Sequence, residues 1–121
     1  MSQTILVVDD ERCIADAAAT ILENEGFCAV PLYRAAEAIA TLRTMNVALI
    51  LTDVNMPDID GVELALEAQK VCPRTKVLLM SGAETTESVR QRTGCENCPF
   101  RIMAKPFGIS ELVNMVGDVL N

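Results

Sequence analysis

The chain contains no histidine and no tryptophan, and its aromatic complement is one tyrosine and three phenylalanines. Without histidine, Ser-His and Cys-His nucleophilic catalysis are excluded, and so is the commonest transition-metal ligand. With aromatics at 3 %, the core has to be aliphatic. Cations are short as well: 10 Lys and Arg stand against 17 Asp and Glu, a net charge of −7 over 121 residues. That balance argues against a nucleic-acid-binding surface, which needs clustered Lys and Arg to meet phosphates. No basic amphipathic helix points to a membrane. No apolar run approaches the roughly 18 residues of a spanning helix, and the N-terminus lacks a charged-then-apolar leader pattern. A cytoplasmic protein is expected.

Cysteine is present in an odd number, five. Cys13, Cys28 and Cys72 lie in or beside apolar segments and are expected as small buried hydrophobes in a reducing compartment. Cys95-x-x-Cys98 lacks the further Cys or His ligands a zinc site wants, and it does not open a helix after a first strand as a thioredoxin-type pair would. A reduced pair in a loop is expected there.

Half of the residues are hydrophobic, and they fall into five short runs: Ile5–Val8, Cys28–Leu32, Ala48–Thr52, Lys76–Met80 and Arg101–Ala104. The first, third and fourth are apolar without alternation, as parallel strands buried on both faces require. The second contains Pro31, which a central strand would not accept, so it is expected at an edge. Helix-like segments separate the runs. Ile14, Ala17, Ala18, Ile21 and Leu22 repeat at helical spacing before Gly26, and Ile109, Leu112, Val113, Val116 and Leu120 stripe the last segment. Asp60 is positioned to cap the helix that begins at Gly61. The segment 83–94 offers little to bury beyond Ala83 and Val89, so it is expected to be lightly held. Strand and helix alternating in units this short give a doubly wound α/β fold, one domain over residues 1–121, with five strands and five helices.

Such sheets take ligands beyond the carboxyl ends of their strands. There the first run delivers Asp9 and Asp10, the third Asp53, the fourth Ser81 and the fifth Lys105. Carboxylates crowded together resist joint ionisation. A divalent cation and one ammonium would neutralise them, and oxygen-only ligation suits Mg²⁺. A carboxylate so placed beside a lysine and a hydroxyl is also a competent phosphoryl acceptor, with Mg²⁺ and Lys105 neutralising the transferred group's oxygens as Asp53 attacks in line.

The segments VVDDE, LTDVNMPDIDG, LLMSG and AKPF, in that order, resemble the motifs of response-regulator receiver domains of two-component signalling, and the resemblance covers essentially the whole chain. It implies the flavodoxin-like strand order 2-1-3-4-5 and makes Asp53 the phosphoacceptor, within D-x-x-M-P-x-x-D-G from Asp53 to Gly61. It implies a Mg²⁺ site formed by Asp9, Asp10, Asp53 and Asn55, with Asp10 binding directly, Asp9 through water and Asn55 through its main-chain carbonyl. Ser81 becomes the hydroxyl that reports phosphorylation, Lys105 the partner of the phosphoryl group, and Lys105–Pro106 a cis bond. The implied partners are a sensor histidine kinase or phosphotransfer protein and a downstream protein target, with no nucleic acid and no membrane bound by the domain. The domain is then a signalling element rather than an enzyme, assisting its own phosphorylation and dephosphorylation. Two features depart from the family pattern. Ile102 stands where the family often has Tyr or Phe, and the passage from Gly94 to Lys105 is longer than usual.

The alternative is a haloacid-dehalogenase-type phosphohydrolase. It would want D-x-D after the first strand, where this chain has adjacent Asp9 and Asp10. A pseudo-receiver, a pure interaction module, is disfavoured because no motif residue is lost.

Overall fold

The computed structural model describes residues 3–82 and 100–121. Five strands, β1 (Thr4–Val8), β2 (Cys28–Leu32), β3 (Leu49–Asp53), β4 (Lys76–Ser81) and β5 (Arg101–Ala104), form one parallel sheet in the order 2-1-3-4-5. Helices α1 (Arg12–Asn24), α2 (Ala35–Leu42), α3 (Gly61–Val71) and α4 (Ile109–Leu120) cover its two faces. The helical segment expected over 83–94, and Cys95 and Cys98, lie outside the described residues.

Alternation along the strands sorts the core. Ile5, Val7, Leu49, Leu51, Leu78, Met80 and Met103 pack with α1 and with Leu112 and Val116 of α4. On the opposite face Leu6, Val8 and Ile50 pack with Ala35, Ala38 and Leu42 of α2 and Leu64 and Ala68 of α3. A third cluster joins Val54, Val62, Ala65, Val77, Leu79 and Phe100, with Ile102 half-buried against it. Every residue of β3 is buried, and each fully buried Leu or Ile contributes about 1.5–3 kcal/mol. The middle strand carrying the acceptor candidate is therefore buried along its whole length.

Pro31 lies in the edge strand, as expected. On that strand the outward amide of Ala29 donates to the Glu23 carboxylate at 3.0 Å. Asp60 caps α3, its carboxylate accepting from Val62 N at 2.7 Å.

Two expectations fail. Cys13 and Cys28 are exposed and Cys72 is half-buried. The buried stripe of α1 runs through Ala15, Ala18, Ala19 and Leu22, one position round from the isoleucine-based stripe, with Ile14 and Ile21 half-buried and Ala17 exposed. The alanines take the inward positions because they let the helix lie close to the sheet, and the bulkier isoleucines move to its flank. That rotation carries Cys13 outward. Cys28 is the first residue of the edge strand, where its side chain stays open to solvent.

Candidate functional site

Four strand ends build the site. Asp9 extends the row of Ile5 and Val7, and Asp53 ends the row of Leu49 and Leu51, so both carboxylates project to one side of the sheet. Val8 is in register with Thr52, which sets Asp9 beside Asp53. Asp9, Asp10 and Asp53 each bring a carboxylate oxygen within 4.8 Å of the others. Asp9 and Asp53 are buried and Asp10 is exposed.

Lys105 follows Met103 in the corresponding row of β5. Its main-chain N–H donates to Ser81 O at 2.9 Å, and its aliphatic stem runs along Gly82. The ammonium donates to Asp9 Oδ2 at 2.8 Å and lies 3.5 Å from Asp53 Oδ2. The Lys105–Pro106 bond is cis. Asp9 Oδ1 accepts from Glu11 N at 3.0 Å, so both oxygens of Asp9 are engaged. Ser81 is buried at the end of β4, in register with Ala104.

The charges respond to this packing. Burial pushes the Asp53 carboxyl above the usual carboxylate range; the Lys105 charge opposes this, the Asp9 charge adds to it, and the main-chain N–H of Asn55 pulls it back. Burial works against the Lys105 charge, but the hydrogen bond to Asp9 and the Asp53 and Asp9 charges outweigh it and hold that ammonium above its ordinary value.

On the far side from Lys105, a cavity of about 410 Å³ is lined by Asp10, Val54, Asn55, Met56, Pro57 and Asp60. Asp10 and Asn55 thus border one space, as oxygen donors to a hydrated cation should. The loop between them is anchored: Gly61 N donates to Val54 O at 2.8 Å, and a Cβ on Gly61 would collide with the Asp53 carbonyl oxygen. Sequence reasoning missed one member of this loop. Asp58 Oδ2 accepts from Ala36 N, in the first turn of α2, at 3.3 Å; no motif spacing links residues so far apart in the chain. On the other flank, Cys13, Ile14, Ala17, Ile21, Pro106 and Phe107 border an apolar groove of about 550 Å³.

Comparison with known proteins agrees with this geometry. A regulatory protein, VanRc, of Enterococcus gallinarum is 36% identical over 96% of this chain and 49% of its own length. The response regulator receiver protein CpdR of Brucella abortus (strain 2308) is 28% identical over 96% of this chain and 95% of its own. The chain therefore spans about half the length of the first relative and nearly all of the second. Among solved structures, a response regulator receiver domain protein (CheY-like) from Methanospirillum hungatei JF-1 superposes with a TM-score of 0.85 at 30% identity, covering 99% of this chain and 94% of that one. The response regulator receiver domain family matches residues 5–117. The strand order agrees with that match, and the chain belongs to the response regulator receiver domains, whose function in two-component signalling is to accept a phosphoryl group.

Proposed function

We propose that Asp53 is the phosphoacceptor of this chain, and that Asp10, Asp53 and the main-chain carbonyl of Asn55, with Asp9 acting through water, hold the Mg²⁺ on which the transfer depends. The observation that carries this is the cluster itself: three carboxylates within 4.8 Å of one another, with one ammonium 2.8 Å from Asp9 and 3.5 Å from Asp53. Oxygen donors alone, one of them exposed beside a roomy cavity, fit a hard ion that keeps part of its water. Mg²⁺ bound there would supply positive charge to the oxygens of the phosphoryl group.

The chain's own residues do the rest. An Asp53 carboxylate oxygen attacks phosphorus, the donor's P–N bond breaks, and the departing imidazole of a phosphohistidine keeps the electron pair and takes a proton from solvent. Lys105 neutralises charge on the transferred oxygens, and its charge opposes the upward push of burial on the Asp53 carboxyl. Ser81, at the end of the strand next to Asp53, donates its hydroxyl to the new group. The domain thereby assists its own phosphorylation and, with water as the acceptor, its own dephosphorylation. The donor is a sensor histidine kinase or phosphotransfer protein, and a downstream protein reads the phosphorylated surface.

We read residues 1–121 as one receiver domain working in the cytoplasm. Among the described residues no helix is long and apolar enough to cross a membrane, and the net charge of −7 argues against a nucleic-acid partner for the domain. The test is phosphoryl incorporation from acetyl phosphate with Mg²⁺, read by intact mass. Wild type takes one group and Asp53→Asn takes none; equal incorporation by the variant would refute the assignment.

A further inference from the structure

We propose that Asp58 is a positioning residue for the phosphorylation loop, holding the Asn55 carbonyl in place by capping α2 from across the site. This rests on the metal reading above and adds to it the residue that orders one side of the metal's shell.

The first turn of a helix leaves amides without intrahelical partners, and a side-chain oxygen from the N-cap residue usually meets one of them. The N-cap of α2 is Arg34, which has no acceptor in its side chain and makes no capping bond. The acceptor comes instead from the loop after β3, as Asp58 Oδ2 takes the Ala36 amide at 3.3 Å. Two residues on, Asp60 caps α3 through the Val62 amide at 2.7 Å. One short loop therefore terminates two helices. Around these ties Met56 and Ile59 are half-buried against the cluster that α2 and α3 share, whereas Asn55 is exposed.

The arrangement separates the loop's two functions. Asp60 and Gly61 fix where the loop ends. Asp58 fixes the loop's outer limb, the one that carries Asn55. Without it the Ala36 amide turns to water and the limb keeps only its apolar anchors. Ordering the Asn55 carbonyl on an ion then costs more conformational entropy. Once the ion is bound the geometry at Asp53 is the same, so the loss falls on metal affinity and not on the transfer at saturating Mg²⁺.

The experiment measures Mg²⁺ affinity by amide NMR titration of the full chain, and transfer from acetyl phosphate at saturating Mg²⁺. Asp58→Ala is expected to raise the Mg²⁺ Kd about fivefold, as loss of a good cap would, with the saturated rate within about twofold of wild type. Asp58→Asn keeps an acceptor of the same shape without the charge and should restore the affinity. Ala40→Gly, on the exposed side of α2, weakens the helix by about the same amount without touching the tie and should leave the Kd unchanged. The proposal is overturned if Asp58→Ala titrates like wild type, if Asp58→Asn behaves like Asp58→Ala, or if Ala40→Gly weakens Mg²⁺ equally. Wild-type protein that bound no Mg²⁺ would instead overturn the metal site, and this role with it.

Discussion

The carboxylate cluster has two unlike sides. On one, Asp9 is fully buried, both its oxygens are bonded, and the ammonium that bonds it is itself mostly enclosed. On the other, Asp10 is exposed beside an open cavity and the exposed Asn55. The closed side is finished before any ligand arrives. The open side holds charge that only a ligand can neutralise. The proposed metal site accounts for the difference: a lysine comes with the chain and can be packed, while an ion would have to enter hydrated and leave again.

The largest effect should come from the closed side. Lys105→Met keeps the bulk of the stem and removes the charge. It is expected to slow transfer from acetyl phosphate by about 10²–10³-fold, the usual loss for one charge-stabilising donor. It should also lower unfolding free energy by about 3 kcal/mol, because buried Asp9 loses its counter-charge. Urea unfolding and single-turnover rates measure both, and an unchanged stability would mean that Asp9 is not held by Lys105.

Asp10→Ala probes the open side and should do the reverse. Mg²⁺ affinity is expected to fall by about 100-fold or more, beyond the losses seen for supporting residues of metal sites. In metal-free buffer the urea midpoint should rise slightly, since one of three crowded charges is gone. An affinity like that of wild type would remove Asp10 from the ligand set. A fall in metal-free stability would erase the contrast between the two sides.

A smaller effect separates the sides by pH. The native Asp53 carboxyl binds its proton more tightly than an unfolded one does. Its contribution to stability is therefore complete below the ordinary carboxylate value, about 4, and is lost as pH rises through the raised native value. In EDTA the urea midpoint of wild type should fall across that window relative to Asp53→Asn, and saturating Mg²⁺ should abolish the difference. Lys105→Met removes the charge that pulls Asp53 down, so its window should lie at higher pH. A profile that moved the other way would show that Lys105 does not govern Asp53.

Much of this site is legible in the sequence because strand ends are. Apolar runs stop at Asp9, Asp53, Ser81 and Lys105, and a parallel sheet brings all such ends to one edge. The division of labour between Asp9 and Asp10 is not legible from the residues alone, since adjacent identical side chains differ only in which way the strand turns them. The phase of α1 is missed because isoleucine looks like the natural core residue, whereas the close approach to the sheet selects the alanines. The tie from Asp58 to Ala36 is missed for a different reason. It joins a loop to the first turn of a helix that only the folded sheet makes its neighbour, and an exposed aspartate between Pro57 and Ile59 carries no periodic signal.

The blunt edge of the sheet has a consequence for how such a domain lives in a crowded cell. An edge strand invites other chains to dock on its free amides. On β2 the two positions whose nitrogens face outward are Ala29 and Pro31. The first amide is occupied by Glu23 and the second does not exist. A foreign strand approaching this edge finds acceptors but no donors, so the sheet cannot be extended there into aggregates. This border of the sheet therefore stays closed to strand-to-strand pairing.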